Sequence, residues 1–253
     1  MSISDYYEGP PPVAVGARIS PWERARRVFV SPSTAWEGLE EQVQWWVPML
    51  IVGLVGAGVF ALIYQRSFVP MVLDQLDQSV ANGQLPAEKL DQIEGFYSGP
   101  MAMLLFGAMQ VLTLSAMTFL WAAIAWFGVG FVLGGKFRYR LALEAVGWSG
   151  LVMIPSQIIT AGIAWSLETL KGVHVGLAAL LTMSDPPTKL QAGLAVFLDS
   201  ISPFTAWNLF VLVLISSSLS RMPRRSVAWV LVSLYLAFAA ICAAAIGIFA
   251  PGA

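Results

Sequence analysis

The stretch Trp45–Tyr64 reads WWVPMLIVGLVGAGVFALIY, twenty consecutive residues without a charged side chain. A helix of that length rises about 30 Å, the thickness of the hydrocarbon layer of a bilayer. Four further apolar stretches follow: Pro100–Leu133, Leu141–Leu167, Ser202–Ser220 and Ser226–Phe249. None alternates apolar with polar residues as a barrel strand would, and backbone polar groups cannot stay unpaired in lipid, so each is expected to be a helix. The fold class that follows is an all-α integral membrane protein with five transmembrane helices. Its expected organisation is an extended tail at 1–19, cytoplasmic or interfacial amphipathic helices at 20–44, and a transmembrane domain at 45–250. Within that domain the spans are 45–64, 100–133, 141–167, 202–220 and 226–249, with an external helical hairpin at 65–99 and external interfacial helices at 168–200.

Composition agrees. Apolar residues make up 57% of the chain and charged residues only 11%, against about 25% charged in a soluble domain; the mean hydropathy is +0.72. The charges are sorted in space. Arg18, Arg24, Arg26 and Arg27 precede the first span, Lys136, Arg138 and Arg140 follow the second, and Arg221, Arg224 and Arg225 follow the fourth. With five spans, these ten of the fourteen basic residues share one face. By the positive-inside rule that face is cytoplasmic, as is the N-terminus, and the C-terminus is external. No cleavable signal precedes Trp45, so the first span is expected to serve as its own insertion signal, in a bacterial inner membrane.

Before the first span, Ser20-Pro21-Trp22-Glu23 is a helix start: Ser20 caps, Pro21 takes the first position and Glu23 bonds back. Ser31-Pro32 opens a second segment in which Trp36, Leu39, Val43 and Trp46 recur at helical spacing. Trp22, Trp36, Trp45 and Trp46, with Arg26 and Arg27, suit a helix lying in the headgroup zone, and the same apolar face could instead dock on the protein's own helices. The outer loop at 65–99 carries Val69, Val72, Leu76 and Val80, then Leu90, Ile93 and Phe96, each set at helical spacing. Two basic and five acidic residues give this hairpin a net charge of −3. The segment 172–183 is too short and interrupted to span, and is expected to be interfacial or re-entrant.

The spans offer little chemistry. Glu144 is the one carboxylate inside an apolar stretch, four residues after Arg140, where an i,i+4 pair satisfies it. Gln110, Gln157 and Asn208 are neutral polar residues of the kind that bond across helices. The lone Cys242 and lone His174 remove cysteine- and histidine-rich metal sites. No catalytic motif is present, so no enzyme activity, cofactor or metal is expected, and the short basic loops exclude nucleic acid. Small residues four apart, Gly53 with Ala57, Ala240 with Ala244 and Ala243 with Gly247, would let helices approach closely.

Four segments carry a resemblance to a known family: Phe29-Val30-Ser31-Pro32-Ser33-Thr34-Ala35-Trp36, Leu85-Pro86-Ala87-Glu88-Lys89-Leu90, Gly147-Trp148-Ser149 with Pro155, and Ser202-Pro203-Phe204-Thr205-Ala206-Trp207. In this order within a five-span frame, they resemble bacterial members of the Yip family (Ypt/Rab-interacting membrane proteins). The Asp-Leu-Tyr-Gly-Pro motif of eukaryotic members is missing. The resemblance implies a non-enzymatic module acting through protein partners. Three functions are weighed, and the first of them is the leading one. The first is an accessory or scaffold protein binding another integral membrane protein, such as a transporter or export complex. The second is a transporter or lipid-handling protein in its own right, which requires a cavity lined by Glu144, Gln110, Gln157 and Asn208. The third, an intramembrane enzyme, requires two polar groups within hydrogen-bond reach in one cavity. The expected partners are therefore membrane lipid and another membrane protein.

Overall fold

A computed structural model describes residues 19–184 and 187–249; the expected tail before Ile19 and the Asp185-Pro186 break lie outside them. The helices are α1 (Pro21–Val30), α2 (Trp46–Ile63), α3 (Val69–Ala81), α4 (Leu90–Tyr97), α5 (Pro100–Trp126), α6 (Tyr139–Gly150), α7 (Ile154–Leu167), α8 (Lys189–Asp199), α9 (Pro203–Ser220) and α10 (Arg224–Phe249). No strand occurs among the described residues. Five helical runs are long and apolar enough to cross a membrane: Trp46–Ala81, Pro100–Val132, Tyr139–Leu167, Pro203–Ser220 and Arg224–Phe249.

The first run is longer than the apolar stretch that announces it. α2 passes into α3 through a π-helical turn at Tyr64–Phe68, where the Val69 N–H bonds back five residues to the Tyr64 carbonyl. The cause is Pro70, which lacks an N–H and crowds the carbonyl four residues before it, shifting the ladder by one position. The hairpin expected at 65–99 therefore begins as a helical continuation of the first span. It turns at Gly83, whose φ of +69° suits glycine, and returns through α4. α6 and α7 form the third run, broken by a 3-10 turn at Leu151–Met153 just ahead of Pro155.

α1 starts as its sequence directs, with the Ser20 hydroxyl accepting the Glu23 N–H at 3.3 Å. Glu23 does not bond back to Ser20 but accepts from Arg26 at 3.0 Å and Arg27 at 2.8 Å. Those donors hold its carboxyl down at about 2. The expected second helix through Trp36, Leu39, Val43 and Trp46 is replaced by consecutive turns from Pro32 to Glu41. Side-chain donors take the carbonyls a helical ladder would use: Arg24 binds those of Ala35 and Glu37, and Arg140 binds those of Glu40 and Gln42. This segment docks on the bundle, with Val28, Trp36 and Leu39 in one buried cluster with Trp148, Val211 and Ile215.

Two contacts define the opposite, acidic end. Arg66 donates to Glu168 at 2.8 Å, and the Ser67 hydroxyl donates to the Ala164 carbonyl at 2.8 Å, tying the first run to the third. α8 does not simply lie over the bundle. Its Gly193 faces α10 so closely that a Cβ there would come within 2.8 Å of the Ala243 carbonyl and 3.3 Å of the Gly247 Cα. The Lys189 carbonyl lies beside Gly247, so α8 runs antiparallel to the last turns of α10. The Tyr235 hydroxyl then donates to the Ser200 carbonyl at 2.7 Å, fixing the bend between α8 and α9.

Candidate functional site

The sequence nominated four polar residues inside the spans, and the structure brings three of them to one place. Gln110 from α5, Gln157 from α7 and Asn208 from α9 line a half-enclosed cavity of about 590 Å³ between the spans. Val52, Val59 and Phe60 from α2, and Tyr235 from α10, complete the wall. That volume lies inside the roughly 300–1,000 Å³ typical of small-molecule sites.

Local chain geometry builds the polar part of this wall. Pro155 cannot donate to the carbonyl four residues before it, so the third run loosens into a 3-10 turn there. Asn208 reaches across from α9 and donates to the Ser149 carbonyl at 2.8 Å, just ahead of that turn. Opposite, Gly56 of α2 presents bare backbone. The point a Cβ would occupy lies 3.2 Å from Gln157 Oε1 and 3.6 Å from Gln110 Nε2, so both amide heads converge on this glycine. Gln157 Oε1 is fully enclosed and has no hydrogen-bond partner. In a water-poor interior an unpaired amide oxygen costs on the order of 2 kcal/mol or more.

Glu144, the fourth nominee, is not in that cavity. It is fully buried at the basic end. One carboxylate oxygen accepts the Gln44 backbone N–H at 2.7 Å and the other accepts the Trp148 indole N–H at 3.2 Å. Arg140 stands 3.9 Å away. Beside this group lies Arg24, also fully buried. It donates to Gln44 Oε1 at 3.0 Å, to Gln42 Oε1 at 2.9 Å and to the Ala35 and Glu37 carbonyls, with its guanidinium 5.8 Å from the Trp148 ring centre. Arg24, Gln42 and Gln44 carry no helical periodicity and were not singled out by sequence. Among them, only a basic residue within an otherwise apolar face of α1 (Ala25, Val28) hinted at a buried charge. The cluster holds the N-terminal segment onto the third run; every strong donor in it is satisfied by protein, which leaves it structural.

The remaining nominees are dispersed. Trp36 is buried, Trp45 packs edge-on to Phe119 with ring centres 5.7 Å apart, and Trp22 and Trp46 are exposed. Arg26 and Arg27 pair with Glu23. The point a Cβ would occupy on Gly53 lies 3.5 Å from Val111 Cγ1, and Ala57 is half-buried nearby. Ala240, Ala243, Ala244 and Gly247 line the seam between α8 and α10, so that stripe is covered by the same chain. His174 pairs with Asp199 at 2.5 Å, where it tethers the outer loop to the end of α8.

These features define a five-span helical membrane protein with a neutral polar cavity in its interior. Residues 26–246 match the Yip1 domain, and the chain belongs to that family. No curated protein and no solved structure matches it.

Proposed function

We propose that this Yip1-family membrane protein is non-enzymatic and holds a lipid or similar amphiphile in the cavity between its spans. One observation carries the proposal. Gln110, Gln157 and Asn208 lie far apart in sequence, on three different helices, yet line a single cavity of about 590 Å³. Interhelical bonding alone explains Asn208, which has the Ser149 carbonyl as a partner, but not Gln157, whose Oε1 has none. The site is proposed to lie in a bacterial inner membrane, with the basic loops and the N-terminus on the cytoplasmic side and the C-terminus outside.

The accessory or scaffold reading, with a transporter or export complex as partner, is the second one. It is supported by α5, whose most apolar window has no buried residue and which exposes Met101, Leu104, Leu105 and Leu112. Such a face serves a lipid-facing helix equally well, so the cavity reading takes precedence. The deciding experiment extracts the protein from its native membrane in nanodiscs and identifies bound lipids and proteins by mass spectrometry. A lipid retained at near one-to-one stoichiometry, and lost from Gly56→Val, is the expected result. A stoichiometric membrane-protein partner with no retained lipid would replace the cavity reading with the accessory one.

A further inference from the structure

Among the described residues, the wall of the cavity contains no charged side chain. Its polar groups are the amides of Gln110, Gln157 and Asn208 and hydroxyls such as those of Ser156, Thr160 and Thr205, set among apolar neighbours. Four charged residues lie close in sequence to the wall, and each is engaged elsewhere: Lys171, next to the wall residue Leu170, pairs with Asp74 at 3.7 Å, and Glu168 pairs with Arg66. Glu144 sits two positions before the wall residue Val146, but its carboxylate is taken by Gln44, Trp148 and Arg140. Arg66 follows the wall residue Ile63, but it is bound to Glu168 and the Trp165 carbonyl. A phosphate, carboxylate or ammonium headgroup entering this cavity would therefore be buried without a counter-ion, which is strongly unfavourable.

The amides give a second constraint. The amide heads of Gln110 and Gln157 both pack against buried Gly56, within 3.6 Å of the position its Cβ would take, and Gln157 Oε1 has no donor there. The terminal torsion of a glutamine is soft, so this amide can turn to meet an incoming donor. A hydroxyl suits both glutamines, because it donates one hydrogen bond and accepts others whichever way each amide is turned. An ether, ester or hydrocarbon end would leave the Gln157 oxygen unpaired.

We infer that the ligand is an uncharged lipid with a free hydroxyl headgroup, of the acylglycerol or long-chain alcohol type. Its hydroxyl meets the Gln110 and Gln157 amides at the cavity wall, and its chain runs against Val59, Phe60 and Leu114. This inference rests on the cavity reading above and specifies its chemistry.

The test uses the full chain in phosphatidylcholine nanodiscs and three probes with the same photoactivatable chain: a monoacylglycerol, a fatty acid and a lysophosphatidic acid. Labelled peptides are mapped by mass spectrometry, and unlabelled monoacylglycerol or fatty acid is added as competitor. The monoacylglycerol is expected to label peptides carrying Phe60, Leu114 or Gln157 at least ~10-fold more than either charged probe, a margin a buried unpaired charge readily exceeds. Unlabelled monoacylglycerol, not fatty acid, should compete. Gln157→Leu, close in volume, is expected to remove the preference while keeping the melting temperature, and Gly56→Val to remove the labelling. Equal labelling by charged probes would overturn the headgroup inference and leave the lipid-holding reading standing. Labelling of the wall by no probe, or undiminished labelling of a folded Gly56→Val, would overturn both. The wild-type competition decides the headgroup even where a variant does not fold.

Discussion

Arg24 is the residue on which the basic end turns. It is fully buried, yet each arm of its guanidinium has an oxygen to donate to, and its Cζ lies over the Trp148 ring. Removing such a group costs more than the bonds it makes, because Gln42, the Ala35 carbonyl and the Glu144 carboxylate would all lose a partner or a compensating charge. Arg24→Gln is expected to destabilise the protein by roughly 3 kcal/mol or more. Arg24→Lys should recover little of this, since an ammonium cannot span the fork. The exposed Trp22 supplies the control, with Trp22→Ala changing stability by no more than about 0.5 kcal/mol. Denaturant unfolding in a fixed detergent measures all three, and an Arg24→Gln variant as stable as wild type would refute the assignment. The Glu144–Arg140 contact was legible because both residues sit on one helix four positions apart. The Gln44–Glu144 bond was not, since its partners are 100 residues apart and only folding brings them together.

At the scale of elements, α8 makes the sharpest claim. It is short, and its close contact with α10 holds it beside a membrane span. Gly193, Ala243 and Gly247 let the two backbones touch, so the contact must fail if any of them gains bulk. Gly193→Val would drive a side chain into the Ala243 carbonyl, and backbone cannot yield as a flexible side chain does. The expected cost is about 1–3 kcal/mol, with faster amide exchange across Lys189–Asp199. Gly162→Ala, which meets nothing within 4 Å, should leave that exchange unchanged. Undisturbed exchange in Gly193→Val would mean that α8 is not docked there.

The small-residue stripe on α10 was legible as a contact surface, but its partner was not, because spacing says that a helix packs and not on what. The five spans were legible because hydropathy alone decides them. The helix expected after Ser31 failed for the opposite reason: its apolar spacing is real, but turns pinned by Arg24 and Arg140 bury Trp36 and Leu39 and leave Val43 and Trp46 exposed.

For the whole molecule, the continuous run from Trp46 to Ala81 has 36 residues, about 54 Å of helix, well beyond a bilayer's ~30 Å of hydrocarbon. This run reaches into the acidic hairpin, and five crossings would set the basic loops on the face opposite it. Charge supports this arrangement only if the second, third and fourth runs all cross, and hydropathy adds the first and the fifth. Were any of those middle three not to cross, the Arg221–Arg225 loop would share a face with the hairpin. The positive-inside rule assigns the basic face to the cytoplasm. Two exposed positions report on it directly in a Cys242→Ala background: Gln84 at the hairpin tip and Lys136 in a basic loop. Gln84→Cys is expected to react with a membrane-impermeant maleimide in intact cells, and Lys136→Cys only after permeabilisation. The reverse pattern would invert the orientation and keep the five crossings. Labelling of both positions in intact cells would remove the second crossing itself, because the single run Pro100–Val132 is all that separates them across the membrane.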